Sequence, residues 1–249
     1  MVHDPRWARA ELPDGRDHAL PCRPTIACTA DLVPPGTFEV EGGVLFRRIG
    51  SEGRQWTFPA LLKQTFTEAL QLQVGSNGYT LSRGEVPAQY LDDVTVGPKF
   101  HLLDQTLVLP SLSVSAAASI PTFRRAGYLR TYDGLFTGYV TKDMGPVHVD
   151  LNLGLNIWRI EEHPLPQEFA ALAVSMNVVA PLAVMIEAYT FTNASPVATR
   201  DAGLLFAISQ SPRPWLVFDE GGDLGFFPST RAYSLFVGAT IIPAVLWRK

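Results

Sequence analysis

Charged side chains are scarce in this chain: Asp, Glu, Lys and Arg make up 18% of its 249 residues, against about 25% in a typical soluble domain. The formal net charge is −4, with no basic stripe, which argues against a nucleic-acid binder. Cysteine is limited to Cys22 and Cys28, too few for a four-ligand zinc site without partners nearby. They either close a short loop in an oxidising compartment or stay free thiols in a reducing one. No run of about 18 apolar residues occurs, so no transmembrane helix is expected. Ala170 to Ala188 comes nearest, but Ser175, Asn177, Pro181 and Glu187 interrupt it. Residues 1–20 also lack the basic start and the roughly 7–15-residue apolar run of an export signal.

What the chain has is alternation. In VHVDLNLGLNIW, residues 147–158, the apolar residues Val147, Val149, Leu151, Leu153, Leu155 and Ile157 all take odd positions. A helix would scatter them around its circumference, whereas a strand puts them on one face. The pattern recurs in Leu70, Leu72 and Val74, in Leu112 and Val114, in Ala202, Leu204, Phe206 and Ile208, and in Tyr233, Leu235 and Val237. About twelve strands are predicted, near 37–48, 56–66, 69–80, 91–103, 106–120, 131–143, 147–159, 168–179, 183–194, 200–210, 214–222 and 231–242. Short turns are expected at Thr67-Glu68, Asp104-Gln105, Gly145-Pro146, Ala180-Pro181 and Ser211-Pro212-Arg213. Longer polar loops are expected around 49–55, 81–90, 121–130, 160–167, 195–199 and 223–230.

Short turns at one end, longer loops at the other and an even strand count describe an all-β, antiparallel, up-and-down transmembrane barrel of the outer-membrane type. Both termini then fall at the short-turn, periplasmic end. Closure is what lets strands satisfy every backbone group in lipid. The polar face, rich in Gly, Ser, Asn and Thr, suits a lumen better than the surface of a soluble sandwich. Trp56, Tyr79, Tyr90, Tyr132, Trp158, Trp215 and Trp247, near strand ends, suit interfacial girdles.

Alternation then assigns sides to the charges. Glu39, Glu41, Arg47, Lys63, Lys99, His101, Asp133, His148, Asp150, Glu187, Asp201 and Asp219 all share the polar face and are expected to line the lumen. On the lipid side a Lys or Arg at the midplane would cost about 2–4 kcal/mol. These charges either set the selectivity of a conducting path or brace a closed barrel through salt bridges.

Enzymatic readings are weaker, and the expectation is a non-enzyme with no cofactor and no metal. His148 and Asp150 lack an oriented nucleophile. Ser76-Asn77-Gly78 resembles the Ser-Asn-Gly of the twelve-stranded outer-membrane phospholipase, but no histidine precedes it, and a turn at the strand end explains it better. Glu161-Glu162-His163 reads as a solvated loop beside Pro164.

PPGTFEVEGGVLFRR (34–48) is followed by WTFPALLKQTFTEALQLQVGSNGYTL (56–81) and DDVTVGPKFHLL (92–103), and later by DAGLLFAIS (201–209) and WLVFDEGGDLGF (215–226). In order and spacing this resembles the phenol-degradation (MetA-pathway) family of outer-membrane barrel proteins over about residues 34–242. The resemblance implies an outer-membrane channel or transporter-like barrel. Two features depart from it: the export signal is not visible, and the end PAVLWRK lacks a terminal aromatic residue.

The expectation is therefore a barrel from 36 to 249 in a bacterial outer membrane, preceded by residues 1–35 lying in the periplasm or entering the lumen. Its partners would be outer-membrane lipid and small solutes, hydrophobic and aromatic ones among them, passing passively. A non-conducting structural barrel and a soluble β-rich ligand-binding protein are the alternatives.

Overall fold

Pairing of the first strand with the last closes the sheet, from Thr37 opposite Val245 to Arg48 opposite Tyr233. The structure, a computed structural model, describes residues 18–51, 53–84, 88–122, 132–160, 163–195, 198–227 and 232–247. Fifteen strands are present: β1 (Thr37–Ile49), β2 (Gly53–Thr57), β3 (Ala60–Thr67), β4 (Leu70–Ser76), β5 (Tyr79–Arg83), β6 (Ala88–Leu91), β7 (Val94–Leu103), β8 (Ser111–Ile120), β9 (Asp133–Met144), β10 (Val147–Ile160), β11 (His163–Val179), β12 (Leu182–Ser195), β13 (Ala198–Arg213), β14 (Leu216–Gly225) and β15 (Tyr233–Val245). All pairings are antiparallel. Three pairs of short strands, β2 with β3, β4 with β5 and β6 with β7, each form one interrupted stave, so the sheet is a closed twelve-stranded barrel. Among the described residues there is no helix.

The interruptions have local causes. Pro59 offers no N–H to a ladder, Gly78 sits at φ +67°, and Asp92-Asp93 are poor strand formers. The breaks are stitched to one another: Phe58 N–H donates to Asn77 O at 3.1 Å, and Asp92 N–H to Gly78 O at 2.8 Å. Asn77-Gly78 is thus a break inside a stave rather than a turn at a strand end. Ser76 serves it structurally, its Oγ accepting from Gly78 N–H at 2.9 Å and donating to Asp92 O at 3.2 Å.

Several connections differ from expectation. The loops expected at 160–167 and 195–199 shrink, because β10 reaches Ile160, β11 begins at His163, and β12 and β13 continue to Ser195 and from Ala198. Glu161 and Glu162 lie outside the described residues. Near the long-loop rim the β12–β13 ladder continues through polar pairs such as Thr192 opposite Arg200, and the β10–β11 ladder continues past prolines, with Pro166 opposite Ile157 and Pro164 opposite Arg159, so alternation fades before the strand does. At the other end, β8 begins at Ser111 rather than 106. Pro110 precedes it, and the carbonyls of Thr106, Leu107 and Leu109 gather around the Lys142 ammonium. β13 likewise runs on through Ser211-Pro212-Arg213, and the turn falls at Pro214-Trp215.

The exterior is apolar and exposed. Leu62, Phe100, Val114, Phe136, Leu153, Leu172, Ile186, Phe206, Phe218 and Leu235 all stand out from the wall, the surface a barrel presents to lipid. A soluble domain rarely shows so large a contiguous apolar surface, which counts against the soluble alternative. Phe46, Trp56 and Tyr233 cluster at the long-loop end, with ring centroids 4.7 and 6.1 Å apart. Trp158 departs from the expected girdle: it shares the parity of the buried Asn152 and Asn156 on β10, so the lumen side is its place.

Candidate functional site

Residues 18–35 precede β1, and among the described residues they form no strand or helix. Yet Ala27, Cys28, Ala30 and Val33 are buried. A segment without secondary structure must still satisfy its backbone groups when it leaves water. Here the inward side chains of the barrel do that work, strand by strand around the wall.

Carboxylates take the N–H groups. Glu39 on β1 accepts from Leu20 at 2.9 Å. Glu41, two residues on and so on the same face, accepts from Cys22 at 3.0 Å and Arg23 at 3.1 Å. Glu187 on β12 accepts from Ile26 at 2.8 Å and Ala27 at 2.6 Å. Ammonium groups take the carbonyls: Lys63 on β3 donates to Leu20 O at 2.7 Å, and Lys99 on β7 to Thr29 O at 2.5 Å. Lys63 also bridges Glu39 and Glu41, the latter at 2.5 Å. Register explains the triad, because Glu39 lies directly opposite Lys63 in the β1–β3 ladder. Lys99 stands 4.4 Å over the ring of Tyr139, an added favourable contact for a buried cation.

Neutral groups complete the grip. Thr141 on β9 accepts from Ala30 N–H at 2.7 Å and donates to Asp150 on β10 at 2.5 Å. With its amide nitrogen toward the Cys28 carbonyl, Asn152 donates to it at 2.9 Å and accepts from Cys28 N–H at 2.8 Å. Ser113 on β8 donates to Ala30 O, and Ser111 to Asp31 at 2.5 Å. On the far side Ile26 and Ala27 pack on Ala171, Ala173, Tyr189 and Phe191.

Cys22 and Cys28 are joined in a disulfide, so the loop reading of the cysteines holds. Arg23, within that loop, reaches Asp219 on β14 with Nη2 at 3.1 Å and Nε at 3.3 Å. Its path crosses the β1–β15 seam where Gly43 faces Gly238. A Cβ at Gly43 would lie 2.7 Å from Arg23 Nη2, and one at Gly238 2.4 Å from Nε. Two facing glycines thus leave the bay that the guanidinium fills.

The remaining charged residues divide by height. His101 and His148 sit toward the short-turn end. His148 is held between Asp143 at 2.7 Å and Asp150 at 3.0 Å, and His101 between Asp104, Ser113 and the Ala30 carbonyl. With Asp31 they line a cavity of about 980 Å³ at the short-turn end, below residues 18–35. Arg47, Asp133 and Asp201 lie higher, toward the long-loop rim. Arg47 is within 3.5 Å of Gln55 Oε1, Asp133 is opposite Ser119 and Asp201 is buried on β13.

Alternation brings the inward charges to one face, but the residues they meet carry no periodic signal. Arg23 and Asp31 lie in the leader. Thr141, Asn152, Ser111 and Ser113 are uncharged, so only their parity on the polar face distinguishes them.

This is the architecture of an outer-membrane barrel, with a lipid-facing exterior and a polar interior crossed by its own N-terminal segment. No protein-family model matches the chain, and no curated protein sequence matches it. Among solved structures, the crystal structure of the COG4313 outer membrane channel from Pseudomonas putida F1 aligns with a TM-score of 0.62 over 85% of this chain and 97% of that one, at 13% identity. That likeness shows the fold. OmpTdeltaL8, a loop L8 deletion mutant of OmpT, an outer membrane protein of Vibrio cholerae, aligns at a TM-score of 0.40 and 10% identity over 82% of this chain and 97% of that one, too low to add to it.

Proposed function

We propose that the chain is a channel of the bacterial outer membrane, of the phenol-degradation (MetA-pathway) type, that passes small hydrophobic and aromatic solutes down their gradient. The observation that carries this reading is the lumen itself. Its wall is ionic on the side of β1, β3 and β7, and the cavity of about 980 Å³ beneath residues 18–35 reaches the wall at His101 and Asp150. A purely structural core gains little from buried ion pairs over apolar packing, whereas a path that fills with water needs groups that water can solvate. The fold shared with the COG4313 outer membrane channel supports the class; the motifs at residues 34–48 and 201–226 support the family, and the solute class rests on that resemblance. Glu39, Glu41, Lys63, Lys99, Asp150 and Glu187 are the proposed lining. The chemistry is passage alone, with no catalytic role for any residue.

Planar-bilayer recording tests it. Recorded with and without dithiothreitol, the barrel should conduct in at least one state, and there Lys99→Glu or Glu187→Lys should shift the reversal potential in a salt gradient; an unchanged reversal potential in conducting variants would overturn the lining. Swelling of liposomes loaded with benzyl alcohol against sugars of similar size tests the solute class. One observation favours a second reading, a non-conducting barrel: residues 18–35 are bonded to strands all around the lumen. Silence of every variant in the bilayer, oxidised and reduced alike, would support it.

A further inference from the structure

Part of the segment that crosses the lumen is built as a closed loop, and the closure spans two of the places where the wall holds it. Cys22 and Arg23 present consecutive N–H groups to Glu41 on β1, while Ile26 and Ala27 present theirs to Glu187 on β12. The disulfide between Cys22 and Cys28 ties these two amide pairs into a single unit, so neither can be released without dragging the other. Asn152 brackets Cys28 itself from β10, and Arg23 fills the glycine bay on the way to Asp219.

We infer that the Cys22–Cys28 disulfide is a latch: while it is closed residues 18–35 occlude the barrel, and its reduction by a dithiol frees the segment to swing into the vestibule and open the lumen. This rests on the channel reading and adds its regulation. Three features fit a removable part better than a permanent core. The contacts are mostly hydrogen bonds from side chains to backbone, which water can replace one for one. The space below the segment is already a cavity, lined by Leu20, Arg23, Asp31 and Val33 from the segment and by His148 and Asn177 from the wall. The segment joins the barrel at Gly36, with φ +87°, where a Cβ would lie 1.8 Å from the Trp247 carbonyl oxygen. Gly36 is thus a tether at the short-turn end, with free room beside it.

The chemistry balances. A dithiol thiolate attacks the Cys22 sulfur, the less buried of the two. The S–S bond breaks and Cys28 leaves as a thiolate that takes a proton. The second thiol of the reductant then displaces Cys22, which is protonated in turn, and the reductant departs as a cyclic disulfide. Two electrons pass from reductant to protein. With the loop open, the half held by Glu41 and the half held by Glu187 can leave in separate steps, each with a lower barrier than the joint release.

The test uses the full folded chain in micelles and bilayers with dithiothreitol as the reductant. Labelling of Lys63 and Lys99 by a small amine-reactive reagent, read by peptide mass spectrometry, reports whether the segment still covers them. Reduction should speed labelling of both lysines about tenfold or more and raise the open fraction of the conductance, and Cys22→Ser with Cys28→Ser should do the same without reductant. If labelling rises and no current appears, the latch stands and the channel reading falls. If labelling is unchanged after complete reduction, shown by alkylation of both thiols, the latch is overturned whatever the conductance. Should the serine variant not fold, reduction of the folded wild-type barrel decides alone.

Discussion

On the side formed by β1, β3 and β7 the lumen meets residues 18–35 with Glu39, Glu41, Lys63 and Lys99, all nearly inaccessible to solvent. On the side formed by β11 and β12 it meets them with Ala171, Ala173, Tyr189 and one carboxylate, Glu187. The first wall holds by charge and the second by shape. The difference has an energetic consequence. Buried charges are tolerable only as a set, since each has given up hydration and depends on its partners. Small apolar residues depend on nothing but the space they leave, so their failure comes from excess volume rather than from a missing partner. One segment is thus held by two contacts with opposite sensitivities.

Lys63→Met should have the largest effect. It leaves Glu39 and Glu41 buried side by side without their cation, at a cost of about 3–5 kcal/mol. Urea titration of the barrel in micelles should show this, and adding Glu39→Gln and Glu41→Gln should restore most of it; an unshifted midpoint for Lys63→Met would mean that the triad does not depend on its lysine. Ala173→Leu probes the other wall by overpacking it, at about 1–3 kcal/mol. Amide hydrogen exchange should then show lost protection at Ile26, Ala27 and Cys22 together while the disulfide is closed, and at Ile26 and Ala27 alone once it is reduced. Loss at all three in both states would mean that the two walls act as one. Thr141→Val removes the acceptor for Ala30 N–H and the donor to Asp150. The expected cost is about 1–2 kcal/mol, read as faster exchange at Ala30. The smallest effect belongs to the outer face. On β14, Asp219 points inward to Arg23, while Glu220 points outward between Ile208 and Val237. Glu220→Leu should stabilise the barrel in lipid vesicles by no more than about 1 kcal/mol, whereas Asp219→Leu should destabilise it; a loss of stability in Glu220→Leu would show that this carboxylate has a partner.

Legibility in the sequence followed the same division. The apolar outer face and the charged inner face were readable because alternation is local and repeated, as in residues 147–158. The barrel class followed from the strand count and from turns such as Gly145-Pro146 and Ala180-Pro181. The split staves were not readable. Phe58-Pro59, Asn77-Gly78 and Asp92-Asp93 each look like an ordinary loop or turn until neighbouring breaks are seen to bond one another. The long-loop ends were not readable either, because strands above the lipid are held by ladder hydrogen bonds while their side chains lose the contrast between faces. Nor could the leader be read: Arg23 and Asp31 belong to no periodic element, and Gly43 and Gly238 look like two glycines among twenty until the β1–β15 seam sets them face to face.

By itself, then, the amino-acid order determined which side of the wall most residues of the spanning strands face, since a two-residue repeat and the cost of charge in lipid leave one choice for most charges. It also determined that such strands must close on themselves, since unpaired edges are not tolerated in a bilayer. Tertiary structure alone decided what the inward charges bind. Glu41 and Glu187 lie on strands far apart in sequence and come to hold one seven-residue disulfide loop because closure of the barrel brings both within a hydrogen bond of the same backbone. No local pattern encodes that meeting, because it depends on the width of the closed lumen and on the path of a segment that has no secondary structure of its own.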